Sequence, residues 1–167
     1  MKRLSLLNLS LSIIVFCNFN LLSQIKIAVL PFSNLDGDYS LNKWCYELQD
    51  SLTKAMQEYD KEHKYFTVIP AEEVLTALKN KEIDANSPTF DTDKWDISSD
   101  LNVDRIISGT FRITAKRFLI NSYIYYPETH LSDPDFQARD IFKKEDKIFD
   151  AVPIIVRQLS KAFVAEN

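Results

Sequence analysis

The chain has 167 residues, 46% hydrophobic and 26% charged, with two glycines, two cysteines and a formal charge of -4. That length holds one domain with a sizeable core, and the usage excludes a disordered chain, a collagen-like chain and a glycine-rich phosphate loop. Lys2 and Arg3 are the only charges before Ile25, so the remainder carries -6, its basic residues scattered among acids, which excludes a nucleic-acid-binding face.

Residues Met1 to about Gln24 read as a cleavable secretory signal peptide. Met1-Lys2-Arg3 is a short positive start, and Leu4 to Leu22 is mostly apolar but interrupted by Ser5, Asn8, Ser10, Ser12, Asn18 and Asn20. The longest clean run, Leu11 to Cys17 with one serine, is much shorter than the ~20 residues that span a bilayer, so a permanent anchor is the weaker reading. Cleavage is expected at Ser23 or Gln24, although Leu21 sits where a small residue is preferred. Cys17 is a candidate lipidation site: Ile14, three residues before it, fits the bacterial lipoprotein pattern and Phe16 does not. Cys45 is expected to be a small buried hydrophobe rather than part of a disulfide or metal site.

From Ile25 the chain is expected to form a single domain, 25–167. Ile25 to Phe32 is an apolar, β-branched run closed by a proline, the profile of a buried strand. From Leu41, apolar residues recur every three or four positions through Trp44, Cys45, Leu48, Leu52 and Met56 to Tyr59, with charges opposite, which predicts an amphipathic helix of about five turns. Tyr65 to Ile69 reads as a second short strand closed by Pro70. A helix follows, with Glu72 and Glu73 in its first turn and Val74, Leu75 and Leu78 inward. Lys81 to Thr92 is polar, carries Pro88 and reads as a long surface loop. Asp93 to Asn102 offers one short helix with Trp95, Ile97 and Leu101 inward, ended by an asparagine suited to left-handed backbone.

The period then changes to two. Arg105 to Thr114 and Phe118 to Tyr126 alternate and form a hairpin around Ala115 to Arg117; a polar stretch, Pro127 to Pro134, leads to a shorter third strand over Asp135 to Phe142. The last helix is expected to start near Phe149 or Asp150, because Pro153 is tolerated only in a first turn. The fold class is therefore α/β (α+β): one mixed sheet of about five strands in the order β-α-β-α-α-β-β-β-α, with helices packed on it.

Ile27-Ala-Val-Leu-Pro-Phe-Ser-Asn-Leu-Asp-Gly-Asp38, Leu101-Asn-Val-Asp104 followed by Ile106-Ile-Ser-Gly-Thr-Phe111, and Asn121-Ser-Tyr-Ile-Tyr-Tyr-Pro-Glu-Thr129 come in the order and spacing of one known family. On these segments the chain resembles the TolB amino-terminal-like domain. Asn102 and His130 stand where that family has glycine, and the turn at Ala115 to Arg117 lacks its usual glycine. The resemblance implies a periplasmic module related in architecture to CsgG-like curli-secretion subunits, the FlgO envelope protein and outer-membrane activators of penicillin-binding proteins. It implies contact with other envelope proteins and carries over no catalytic residue or cofactor.

The residues themselves agree with a non-enzyme. His63 and His130 have no second ligand at metal spacing, and read as solvated surface histidines. Asn34 to Asp38 glances at a calcium loop, but its glycine is at the wrong offset and Cys45 takes the place of the closing glutamate. No nucleophile elbow or dinucleotide fingerprint is present. Two candidate interaction features remain. Asp91, Asp93 and Asp96, with Asp100 and Asp104, read as a solvated acidic face. Tyr123 and Tyr125 share a strand face with Leu119, opposite Phe118, Ile120 and Ile124, and one of these rows can be exposed. The function expected is a non-enzymatic protein-interaction module in envelope assembly or regulation. The alternative is a subunit of an outer-membrane secretion or transport assembly, which predicts a homo-oligomer. Membrane contact would be peripheral or through a lipid on Cys17.

Overall fold

The computed structural model describes residues 24–165, so Cys17 and the segment read as a signal peptide, apart from Gln24, lie outside the described residues. Strand β1 (Ile25–Val29) is hydrogen-bonded in parallel to β3 (Phe66–Val68) on one side and to β4 (Arg105–Thr114) on the other. Having neighbours on both edges and helices on both faces, it is apolar except for Lys26, whose Nζ donates to Leu101 O at 2.9 Å. Ile27 and Val29 enter one core, Ala28 and Leu30 the other. β4 continues antiparallel into β5 (Arg117–Tyr126) and β6 (Leu131–Lys143), giving the order β3-β1-β4-β5-β6. A two-residue strand, β2 (Ser33–Asn34), pairs with β4 at Thr110 and Phe111, so the sheet has six strands rather than about five. Two residues leave no periodicity to read, and this strand exists only because β4 runs on past the end of β1.

Helices α1 (Lys43–Tyr59) and α5 (Val152–Ala165) pack together over the first face of the sheet. Phe32, Leu48, Leu52, Phe111, Ile120, Leu159 and Phe163 are fully enclosed there, each worth about 1.5–3 kcal/mol of transfer free energy. α2 (Ala71–Asn80) covers the second face with a broken run of short helices. The single helix expected over Asp93 to Asn102 is three four-residue pieces: α3 (Phe90–Asp93), a 3-10 turn (Lys94–Ile97) and α4 (Ser98–Leu101). Phe90, within the expected surface loop, is buried and anchors them in the second core. The run ends at Asn102 with left-handed backbone (φ 48°, ψ 58°), as its residue type suggested.

Two further boundaries differ from expectation. β6 begins at Leu131, inside the stretch read as polar, because Asp133 accepts backbone hydrogen bonds from Asp135 and Phe136 and carries the strand past Pro134 through irregular pairing with β5. α5 begins at Val152, after a 3-10 segment over Glu145–Ala151, which leaves Pro153 in its first turn. The β4–β5 turn is Ala115-Lys116, both left-handed (φ 49° and 59°), the pair of values that a two-residue hairpin turn requires.

Candidate interaction surface

The second core ends part-way along the second face of the sheet, at Tyr125; beyond it Tyr123 and Asn121 are half-buried and Leu119 is 7% exposed. The second core takes in Ala28, Leu30, Ile69 and Ile106 and extends to Tyr125, which packs at its margin. Further along β5 the same face presents Tyr123, Asn121 and Leu119, paired across to Gln137 and Phe142 of β6 and to Arg112 of β4. Tyr123 and Tyr125 are both half-buried, their rings 6.2 Å apart. The tyrosine row is therefore neither wholly core nor wholly exposed; it starts under the helical layer and continues out of it.

The inner end of that row is held by a residue absent from the expected set. Lys94 opens the 3-10 turn with its side chain only 6% exposed. Its Nζ lies 2.8 Å from Asp91 Oδ1, 5.0 Å from the centroid of Trp95 and 5.3 Å from that of Tyr125, with Ser108 Oγ at 3.5 Å. A buried ammonium is tolerated only when its charge is answered, here by one carboxylate and two ring faces. Trp95 meets Tyr125 edge-on at 5.3 Å and stacks flat on His130, 4.6 Å away and 7° from parallel. His130 is exposed, as expected of a surface histidine, yet its ring is fixed; its left-handed backbone (φ 58°) turns it back over Trp95. Burial raises the Tyr125 hydroxyl above its usual pKa, helped by Tyr123 and by the charge of Asp91.

The structure thus joins Asp91 to Tyr123 and Tyr125 through Lys94. Asp93 ends α3, half-buried, and Asp96 is exposed on the far side of Trp95, in a shallow polar groove shared with Ser99, Asp100, Asn102 and Glu128. Asp100 pairs with Lys81 at 3.2 Å and Asp104 accepts from Lys26 N at 2.7 Å beside β1, so the five acids are spread over separate places rather than one face. Lys94 was legible only as a lysine four positions after Phe90 and three before Ile97, on the inner stripe of a segment too short for periodicity to be persuasive.

Elsewhere, the Cys45 thiol is fully buried, 3.8 Å from Asn86 Oδ1, and burial raises its pKa to about 11. Asp60 accepts backbone hydrogen bonds from Lys64, Tyr65 and Phe66 at 2.7 to 2.9 Å and ties the end of α1 to the start of β3. Burial alone would raise its pKa, but the three N–H groups and nearby His63 hold it below the usual carboxylate value. Among the described residues no group of three His, Cys, Asp or Glu could hold a metal ion, and no helix is long and apolar enough to cross a membrane.

No protein-family model matches the chain, and no curated protein matches it. Solved structures do. The NMR structure of Escherichia coli LpoB aligns over 73% of this chain at 12% identity with a TM-score of 0.53, and this chain spans 59% of it. The LpoB C-terminal domain from E. coli aligns over 65% of this chain and 76% of its own length (15% identity, TM-score 0.48). Lipoprotein GNA1162 from Neisseria meningitidis aligns over 82% of this chain and 97% of its own length (14% identity, TM-score 0.47). At these identities the likeness to LpoB is one of fold: a single mixed α/β domain with one open six-stranded sheet.

Proposed function

We propose that the chain is a non-enzymatic, TolB amino-terminal-like module of the periplasm that binds another envelope protein across the open half of its second sheet face. The observation that carries this is the tyrosine row. Tyr125 is locked under Trp95 and Lys94 while Tyr123, next to it, stands between its strand partners Ser108 and Gln137, with Asn121 beyond it and outside the second core. A rigid, half-covered aromatic flanked by amide groups is the composition of an interface centre, since its conformational entropy is already spent and its apolar area is still open. The fold shared with LpoB supports the architecture, and the leader at Met1 to Gln24 supports export.

The test is a photo-crosslinking amino acid placed singly at Tyr123, at Gln137 and, as control, at Glu72 on α2, in the exported full-length protein. Adducts of one defined mass from positions 123 and 137 but not from 72 are expected. Equal labelling at all three, or none at 123 and 137, would overturn the reading. Mass spectrometry of the mature amino terminus accompanies it: a terminus at or next to Gln24 supports a soluble protein, and a diacylglyceryl group on Cys17 replaces that with an anchored one.

A further inference from the structure

We propose that the tip of the β4–β5 hairpin, with the loops beside it, docks on an anionic phospholipid surface. Five of the eight large apolar side chains exposed among the described residues gather at this end of the sheet: Leu35, Tyr39, Ile113, Phe142 and Phe149. Their proximity follows from printed contacts. Ile113 pairs with Phe118 two steps from the turn; Phe142 pairs with Leu119; Trp44 meets Phe118 at 6.0 Å and Phe149 at 5.7 Å. Leu35 N donates to Phe111 O, and the loop carrying Tyr39 is closed onto β2 by Asn34 Nδ2 donating to Asp38 O.

The charge at this end is basic in a chain that is acidic elsewhere. Lys116 is at the turn, Arg112 and Arg117 are beside it, Lys143 ends β6 and Lys144 follows it, and Lys43 lies over the Trp44 ring at 4.5 Å. The guanidinium of Arg117 sits 5.0 Å from the Phe142 centroid. Asp36 accepts from Ile113 N and Asp38 from Ser40 N at 2.9 Å, hydrogen bonds that hold these carboxylates without cancelling their charge; the six basic residues outnumber them together with Glu145 and Asp146. Glu145 and Asp146 are followed by Lys147 and preceded by Lys144.

A bilayer suits this arrangement better than a protein does. The apolar groups come from separate segments and stand singly around a projecting basic turn. A fluid interface fills in around each inserted side chain, whereas a protein partner needs one continuous complementary core. Basic residues between them meet the lipid phosphates, and each adds to the attraction. β1 and β4 run parallel and β4 ends at this turn, so Gln24, three residues before the Ile27 partner of Arg105, opens the sheet at the opposite end, roughly 40 Å away.

The experiment uses the exported, processed protein and its variants with vesicles of phosphatidylglycerol and phosphatidylcholine in equal parts, or of phosphatidylcholine alone, read by co-sedimentation. Wild type is expected to partition onto the anionic vesicles, and K116E/R117E to lose about tenfold or more of that partition. I113S, with its side chain already 40% exposed and little at stake in the fold, is expected to lose a few-fold. Far-ultraviolet circular dichroism confirms that both variants fold. Absence of wild-type partition, equal partition onto neutral vesicles, or partition unchanged in K116E/R117E overturns the proposal.

Discussion

The Asp91–Lys94 pair can be tested by a double-mutant cycle whose outcome follows from its unequal exposure. Lys94 is 6% exposed and Asp91 62%. Removing one partner of a fully buried pair costs about 3–5 kcal/mol, because the other charge is left uncompensated. Here water already screens the carboxylate side, and the ring faces of Trp95 and Tyr125 keep part of the compensation, so we expect D91A to cost about 1–2 kcal/mol. K94M keeps the aliphatic stem between the rings and removes the charge; its cost should stay below about 1 kcal/mol. In the K94M background D91A has no buried ammonium to abandon and should be close to neutral, giving a coupling of about 1 kcal/mol or more. Urea unfolding followed by circular dichroism resolves this, since 1–2 kcal/mol at a slope of about 2 kcal/mol/M moves the midpoint by roughly 0.5–1 M. If D91A costs the same in both backgrounds, or K94M costs more than D91A, Lys94 is held by packing alone and the electrostatic account fails.

Three other outcomes follow from the geometry. A Cβ at Gly109 would stand 2.1 Å from Phe32 Cε1, within a fully buried ring, so G109A should destabilise by about 1–3 kcal/mol or more and lower Tm visibly in calorimetry; an unchanged Tm would mean that Phe32 can move aside. Asp60 is a carboxylate with a depressed pKa, so its contribution is full above the unfolded value of about 3.9 and is lost as pH falls below that through the folded pKa. D60N should cost about 1–3 kcal/mol at neutral pH and flatten the loss of stability below about pH 4; an acid profile identical to wild type contradicts this. Cys45, with a pKa of about 11 and no exposure, should react with iodoacetamide at pH 8 only as fast as the domain opens; reaction at the rate of a free thiol would refute its burial.

Much of the architecture was open to inspection in the linear chain, because it rests on local periodicity. The three-and-four spacing from Leu41 to Tyr59 and the alternation over Arg105 to Thr114 and Phe118 to Tyr126 are properties of single elements, and the helix and hairpin follow wherever such faces are buried. The continuous apolar run at Ile25 likewise announced a strand covered on both sides. Asn102 declared its left-handed turn by residue type alone.

What the linear chain left open depends on where elements stop relative to one another. Whether the tyrosine row was core or surface had no answer in β5, because it turns on how far the run from Phe90 to Leu101 reaches across the second face; it reaches Tyr125 and the second core goes no further. Lys94 looked like any surface lysine until three different segments brought Asp91, Ser108 and Tyr125 around it. The gathering of Leu35, Tyr39, Ile113, Phe142 and Phe149 at one end spans more than a hundred residues of sequence, and only the sheet's register makes them neighbours. Periodicity determines which face of an element is apolar; the packing of one element on another determines which apolar faces are left uncovered, and it is the uncovered ones that meet a partner.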